Sequence, residues 1–389
     1  MERGAPLFPQ AIKRHRVFGG LTARQERVFN WIAGAVMVLF VAGWAGAIVV
    51  TKEQEIAEDR AAAAAEEGKR GPALPAPSPS RQIANAIVSP TAPKAAYITD
   101  AMMAFLSPLR GQSGKVRFTT QTPGSAIVQG APQGATSVLS QGSTEVSSSF
   151  TAPQNPGVYD LAVKLDQATQ AIRDFNVITL VPFTQKQSGR IGPYYLGTWP
   201  FEKGGRPKTP AYANPSGFIQ VTPQNVDTYV SEHFRLRDFL TKDQPNVWPK
   251  YLLLNPKLLD KLELTIQELE AEGHPVKHMT VMSGFRTPNY NYTGGNTVGR
   301  ANLSRHMYGY ASDVFVDNDG NGVEDDLNHD GRVDPRDAQV VADAADRVER
   351  KYPSLVGGIG VYSASSGHGP FTHIDVRGYR ARWRGAGNG

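Results

Sequence analysis

The sequence predicts a carboxy-terminal α+β domain, an antiparallel sheet carrying helices, preceded by a small β-sandwich domain and one N-terminal transmembrane helix. Three observations carry this reading. Trp31 to Val50 runs for twenty residues without a charge. From about Ala96 to Gln187 the chain falls into short alternating runs separated by Gly, Pro, Ser and Asn. Beyond residue 215, helix openings such as Asn255-Pro256 are interleaved with short strand-like runs such as Met279 to Met282. With 389 residues, 40% of them hydrophobic and 20% charged, the chain is long enough for two domains and linker between them.

The segment 31–50 rises 1.5 Å per residue as a helix, enough for the ~30 Å hydrocarbon core of a bilayer. Arg3, Lys13, Arg14, Arg16, Arg24 and Arg27 precede it, whereas Glu53, Glu55, Glu58 and Asp59 outnumber Lys52 and Arg60 just after it. The distribution of basic residues therefore expects residues 1–30 as a cytoplasmic tail and the rest outside: an inner-membrane, single-pass protein with periplasmic C-terminal domains. The apolar run is longer than the h-region of a cleaved signal peptide. Residues 51–95 begin rich in Glu and Ala, with good helix propensity. After Gly71 they become PALPAPSPS, a stiff extended spacer.

Within 96–187 the expected strands include Lys115 to Thr119, Ala126 to Gln129, Val158 to Leu165 and Phe175 to Val181. Tyr159, Leu161, Val163 and Leu165 would share one strand face. Pro156-Gly157 before Tyr159 resembles the turn that precedes the tyrosine corner of immunoglobulin-like sandwiches. No ionisable cluster occurs here, so the expected role is a spacer or a dock for a cell-envelope protein. Residues 188–214 form an aromatic, Gly-rich connector whose tyrosines and Trp199 either line a groove or pack on the next domain. In 215–389, Thr222-Pro223 and Asn255-Pro256 each place an N-cap before a proline at the first helical position. The second of these helices carries Leu258, Leu259, Leu262, Ile266 and Leu269 on one face and stops at Gly273.

The chemistry concentrates in SRHMYGYASDVFVD, Ser304 to Asp317. On an unbroken helix His306 and Asp313 would lie about 10 Å apart along the axis, too far to share one metal with bonds of roughly 2.0–2.2 Å. The segment must fold back, and Gly309 sits where it could. GPFTHIDVRG, Gly369 to Gly378, offers His373 on a short alternating strand, so His306, Asp313 and His373 become a three-ligand set. Three protein ligands leave a fourth position for water, the arrangement of catalytic zinc sites. The chain has no cysteine, which excludes thiolate ligands and disulfides.

The runs SGFRTPNYN (Ser283 to Asn291), SRHMYGYASDV, GGIGVYS (Gly357 to Ser363) and FTHIDVRG, in this order, resemble the M15-type D-Ala-D-Ala carboxypeptidase and murein endopeptidase family, in particular its YcbK-like branch. The resemblance covers roughly residues 215 to 385. It implies His306, Asp313 and His373 as zinc ligands, and Arg286, delivered by a strand end, as the cation that meets substrate or the developing oxyanion. The positions where relatives place their general base hold Pro370 and Phe371 here. Asp375, two residues beyond His373 on the same face, is the expected base. His368 is the alternative, and Asp375 could equally orient a ligand histidine.

The acidic insert DNDGNGVEDDLNHDGRVDPRD, 317–337, follows directly. Asp326, Asn328, Asp330, Gly331 and Asp337 fall at positions 1, 3, 5, 6 and 12 of a calcium loop, a register that resembles a dockerin-type repeat. Asp317, Asp319, Asn321 and Gly322 begin a second, overlapping register. Zn2+ and Ca2+ are thus the expected cofactors. The expected function is a membrane-anchored zinc peptidase, D,D- or L,D-specific, that cleaves peptidoglycan stems or cross-links. A non-catalytic, metal-containing wall-binding scaffold is the alternative. The formal charge of +5 suits a carboxylate-rich wall, and the expected topology argues against nucleic acid as a partner.

Overall fold

The computed structural model describes residues 107–385 except 129–134, 148–149, 166–167, 208, 296, 298–299 and 366. The expected tail, membrane span and linker at 1–95 lie outside the described residues. Among those described, no helix is long and apolar enough to cross a membrane. The structure therefore does not support the single-pass inner-membrane placement, and the fold class is corrected to a mixed, sheet-rich architecture with few helices.

The first sheet contains β1 (Phe118–Gln121), β2 (Ala135–Gln141), β3 (Thr144–Ser147), β4 (Gly157–Leu165) and β5 (Ala168–Thr179) in the order β1-β5-β4-β2-β3. It is one sheet, and not the two packed layers of the expected sandwich. Tyr159, Leu161 and Val163 alternate inward and join Leu139, Phe175 and Val177 in a small apolar core. The Tyr159 hydroxyl donates to the Asn155 carbonyl at 2.7 Å, so the corner anticipated from Pro156-Gly157 exists without a second sheet. The other end of this layer, Val116, Phe118, Ile178 and Leu180, belongs to the main hydrophobic core. That continuity removes the need for a facing sheet.

β6 (Val181–Pro182), β9 (Gly217–Val221) and β10 (Lys250–Leu252) make a three-stranded antiparallel sheet, and β7 (Arg190–Ile191) pairs with β8 (Tyr194–Tyr195). The connector packs inward: Tyr194, Leu196 and Trp199 are buried in the main core. Thr222-Pro223 opens a turn and no helix. The Asn225 side chain explains this, because it accepts from the Thr222 amide and donates to the Gln220 carbonyl, competing locally with helical bonding. Asn255 does cap a helix, α1 (Pro256–Ala271), by accepting from the Lys257 amide.

The sheet that carries the site comprises β11 (Met279–Ser283), β12 (Ala311–Val316), β13 (Gly358–Tyr362), β14 (Phe371–Asp375) and β15 (Ala381–Gly385), ordered β11-β12-β14-β13-β15. A short helix α2 (Pro288–Thr293) follows β11, and α3 (Pro335–Lys351) lies between β12 and β13. The sheet is mixed and not antiparallel throughout, because β15 runs parallel to β13. The chain leaving β14 must cross the start of β13 to reach that edge. A Cβ on Gly357 would lie 1.9 Å from the Asp375 carbonyl oxygen, and one on Gly358 would meet the Arg377 guanidinium, so the crossing needs both glycines.

Ser312, Val314, Thr372 and Ile374 alternate with the site residues along β12 and β14, and the Thr372 hydroxyl donates to the Ala338 carbonyl of α3 at 2.6 Å. The helices thus cover one face and leave the other to the site. Buried Lys261 of α1 bonds Glu349 of α3 at 2.6 Å and the Asp375 carbonyl at 2.7 Å, tying both helices to the strand of His373.

Candidate metal centre

His306 stands in a 3-10 turn, Arg305–Tyr308, that ends on Gly309 with φ of 69°. A Cβ at Gly309 would meet the Leu253 carbonyl at 2.4 Å, so the anticipated fold-back needs glycine for both conformation and space. Trp199 supports the turn from beneath: its indole donates to the Met307 carbonyl at 3.0 Å. Asp313 and His373 are register partners on β12 and β14. The result is a buried group of His306, Asp313 and His373 that could hold a metal ion.

The geometry is specific. His306 Nε2 lies 3.3 Å from His373 Nδ1 and 3.3 Å from Asp313 Oδ1, and His373 Nδ1 lies 2.8 Å from the same carboxylate oxygen. Tetrahedral bonds of about 2.0–2.2 Å separate ligand atoms by about 3.3–3.5 Å, so two edges of this triangle fit and the third is a little shorter. Each imidazole is turned by its other nitrogen. His306 Nδ1 is 2.7 Å from the Gly284 carbonyl, and His373 Nε2 is 3.1 Å from Asp375 Oδ2. In the tautomers where those nitrogens donate, the lone pairs of His306 Nε2 and His373 Nδ1 face the shared space and are available to a metal.

Electrostatics favour the metal-binding form of His306 and Asp313, and the protonated form of His373. Burial, helped by the Arg286 charge, pulls His306 down to about 4, so it is neutral near pH 7, the form that binds metal. Burial works to raise Asp313, but the charges of His306 and Arg286 and hydrogen bonds from both histidines hold it well below the ordinary carboxylate range. His373 is also opposed by burial, yet its hydrogen bonds to Asp313 and Asp375 raise it.

Arg286 reaches this group from the end of β11. One terminal nitrogen pairs with Asp313 Oδ2 and its Nε donates to the Ser283 hydroxyl at 2.8 Å. Asp375 is fully buried and lies behind His373. Its oxygens accept from His373, from the Gly358 amide at 2.7 Å, and from the amide and guanidinium of Arg377. That is the placement of a carboxylate that orients a histidine. His368 sits on the loop before β14 with Nδ1 2.7 Å from the Gly369 carbonyl and its ring edge-on to Phe371 at 4.9 Å.

The sequence reading missed Arg377, Tyr362 and Trp383. Ser283, Asp313, His373, Gly360 and Trp383 are successive register partners across five strands, and the Trp383 ring lies 5.1 Å from that of His373. The available signal was glycine: a Cβ on Gly360 would lie 2.3 Å from the indole, so GGIGVYS is a floor cleared for a large side chain from the next strand.

In the insert, Gly322 and Gly331 adopt positive φ as the turn positions require. Asp326 and Asn328 accept from the Asp330 amide, while Asp337 accepts from Asn328 and Asp334 in the capping box of α3. Among the described residues, the acidic groups that converge in the insert are Asp317, Asp319 and Asp325. Asn321 bonds within this loop, its side-chain amide donating to Asp319. Asp317 Oδ1 and Glu324 Oε2 are buried without a hydrogen-bond partner.

No family model, curated protein or solved structure matches the chain.

Proposed function

We propose that this protein is a zinc-dependent peptidase that cleaves peptide stems or cross-links of peptidoglycan. The observation that carries the reading is the triangle of His306 Nε2, Asp313 Oδ1 and His373 Nδ1, three ligand atoms of zinc type at zinc-compatible separations. The four ordered motifs that resemble the M15 family supply the substrate class.

These three residues would hold the ion, which when bound supplies Lewis acidity and a more acidic water. The remaining work falls to the chain. Asp375 and the Gly284 carbonyl fix the two imidazoles, and Arg286 anchors the ligand carboxylate while its charge faces the same space. With Asp375 fully engaged, the proton acceptor assigned here is His368: its Nδ1 bonds to a carbonyl, which leaves Nε2 as the basic nitrogen. The oxygen-only group Asp317, Asp319 and Asp325 suits a hard cation, and calcium is the ion we assign to it. Two buried unpartnered carboxylate oxygens, Oδ1 of Asp317 itself and Oε2 of neighbouring Glu324, support that assignment.

Incubation of the full chain with purified cross-linked muropeptides tests the reading. Cleavage that a chelator abolishes and added zinc restores is expected. A zinc-loaded protein that binds the wall without cutting it would instead establish the non-catalytic scaffold.

A further inference from the structure

Beside the metal group stands an aromatic wall that the proposed mechanism has not used. Tyr362 ends β13 and is the register partner of Phe371 on one side and Gly385 on the other. Its ring stacks on Phe371 at 4.6 Å and 5°. A Cβ on Gly385 would lie 2.3 Å from that ring, so glycine there lets it lie flat across the edge strand. The stack leaves the ring little freedom.

The phenol oxygen is held as firmly. Trp383, whose indole packs against His373, donates its Nε1–H to the Tyr362 hydroxyl at 2.8 Å. That bond occupies an acceptor site of the phenol oxygen and leaves the phenol's own proton without an acceptor among the described residues. The residue is half-buried. Burial raises its pKa, and the Asp313 charge adds to this, so the proton stays in place at neutral pH. Arg286, the cation expected to meet the reacting oxygen, is already tied to Asp313. The wall therefore adds an uncharged donor to the centre, beside an Arg286 whose Nε and one terminal nitrogen are committed to Ser283 and Asp313.

We propose that the Tyr362 hydroxyl donates a hydrogen bond to the peptide oxygen that gains charge as water adds to the scissile carbonyl, and that Trp383 positions it. The inference rests on the peptidase reading. The phenol keeps its proton throughout: it stabilises charge and transfers nothing. A donor aimed where charge develops acts mainly on the transition state. Tyr362→Phe keeps the stack on Phe371 and removes only that hydroxyl. Trp383→Phe keeps an aromatic ring against His373 and removes the bond that aims the phenol.

Wild type, Y362F and W383F, each loaded to the same zinc content, are compared for cleavage of a cross-linked muropeptide and for binding of a phosphinate dipeptide analogue. The tetrahedral anionic oxygens of this probe imitate the charged adduct. Y362F is expected to lower kcat by about 100-fold with KM within about twofold, and to bind the phosphinate at least about tenfold more weakly. W383F should fall between wild type and Y362F on both measures with the same split, since a merely structural lesion would move KM as well. If the wild type binds the phosphinate but cuts nothing, the peptidase reading fails while the phosphinate comparison still decides the role of Tyr362. Equal phosphinate affinity in wild type and Y362F, or no binding by the zinc-loaded wild type, overturns the inference.

Discussion

The chain carries two acidic centres only four residues apart, Asp313 on β12 and Asp317 at the start of the insert, and the protein compensates them in opposite ways. Asp313 is buried and its oxygens are met by two imidazoles and a guanidinium. The insert meets its carboxylates chiefly with its own amides, as where Gly322 donates to Asp317 and Asn318 to Asp325. One centre is assembled from four separate chain segments by the fold; the other is assembled by a loop for itself. Hard loop carboxylates and imidazole-rich sites also select different ions. The lesson is that the first centre should fail through tertiary structure and the second through its local electrostatics.

The largest expected effect removes a ligand from the buried centre. His306→Ala should lose the bound metal, read by elemental analysis, and reduce peptide cleavage by a factor on the order of 10³, while circular dichroism stays native. Next comes the scaffold behind it. Lys261→Met removes one of Glu349's two cations, leaving Arg382 and the Gly357 amide on that carboxylate, frees the Asp375 carbonyl, and should cost about 1.5–3 kcal/mol in denaturant unfolding. Asp375→Asn weakens the orientation of His373 and should reduce zinc affinity about 10–100-fold in competition with a chromophoric chelator.

The smallest effects belong to the insert. Burial, with Val316's amide opposing it and the Asp337, Asp325 and Asp317 charges reinforcing it, holds Glu324 well above the ordinary value of 4.5. A raised carboxyl contributes its stability at low pH and loses it as pH rises above the unfolded value toward the folded one. Glu324→Gln, without calcium, should therefore melt about 2–4 °C above wild type at pH 7, and the difference should vanish near pH 4. Calcium should raise the wild-type melting temperature by binding the folded state. Asp325→Asn should blunt that rise and leave zinc content unchanged.

The same contrast decides what the sequence made legible. α1 could be read because its cap, its apolar face and its stop are all local. The ligand triplet could be read because the fold-back at Gly309 and the residue types constrain it. The sandwich and the helix after Thr222 failed for one reason. Each was inferred from a local pattern that a distant or side-chain contact overrode, the main core claiming Phe118 and Ile178, and Asn225 bonding its own turn. Tyr362, Trp383 and Arg377 act through neighbours on other strands, and nothing within their own segments marks them. The convergence of Asp325 with Asp317 and Asp319 was hidden because a loop register counts positions, whereas the folded loop brings together whichever carboxylates its turns allow.

The central claim is that His306, Asp313 and His373 hold one metal. X-ray absorption on the zinc-loaded full chain tests it most directly. The account predicts one zinc per chain with two imidazole nitrogens and oxygen completing the shell, and loss of the imidazole signal in His306→Ala and His373→Ala alike. Zinc bound with an unchanged imidazole signal in either variant would contradict it.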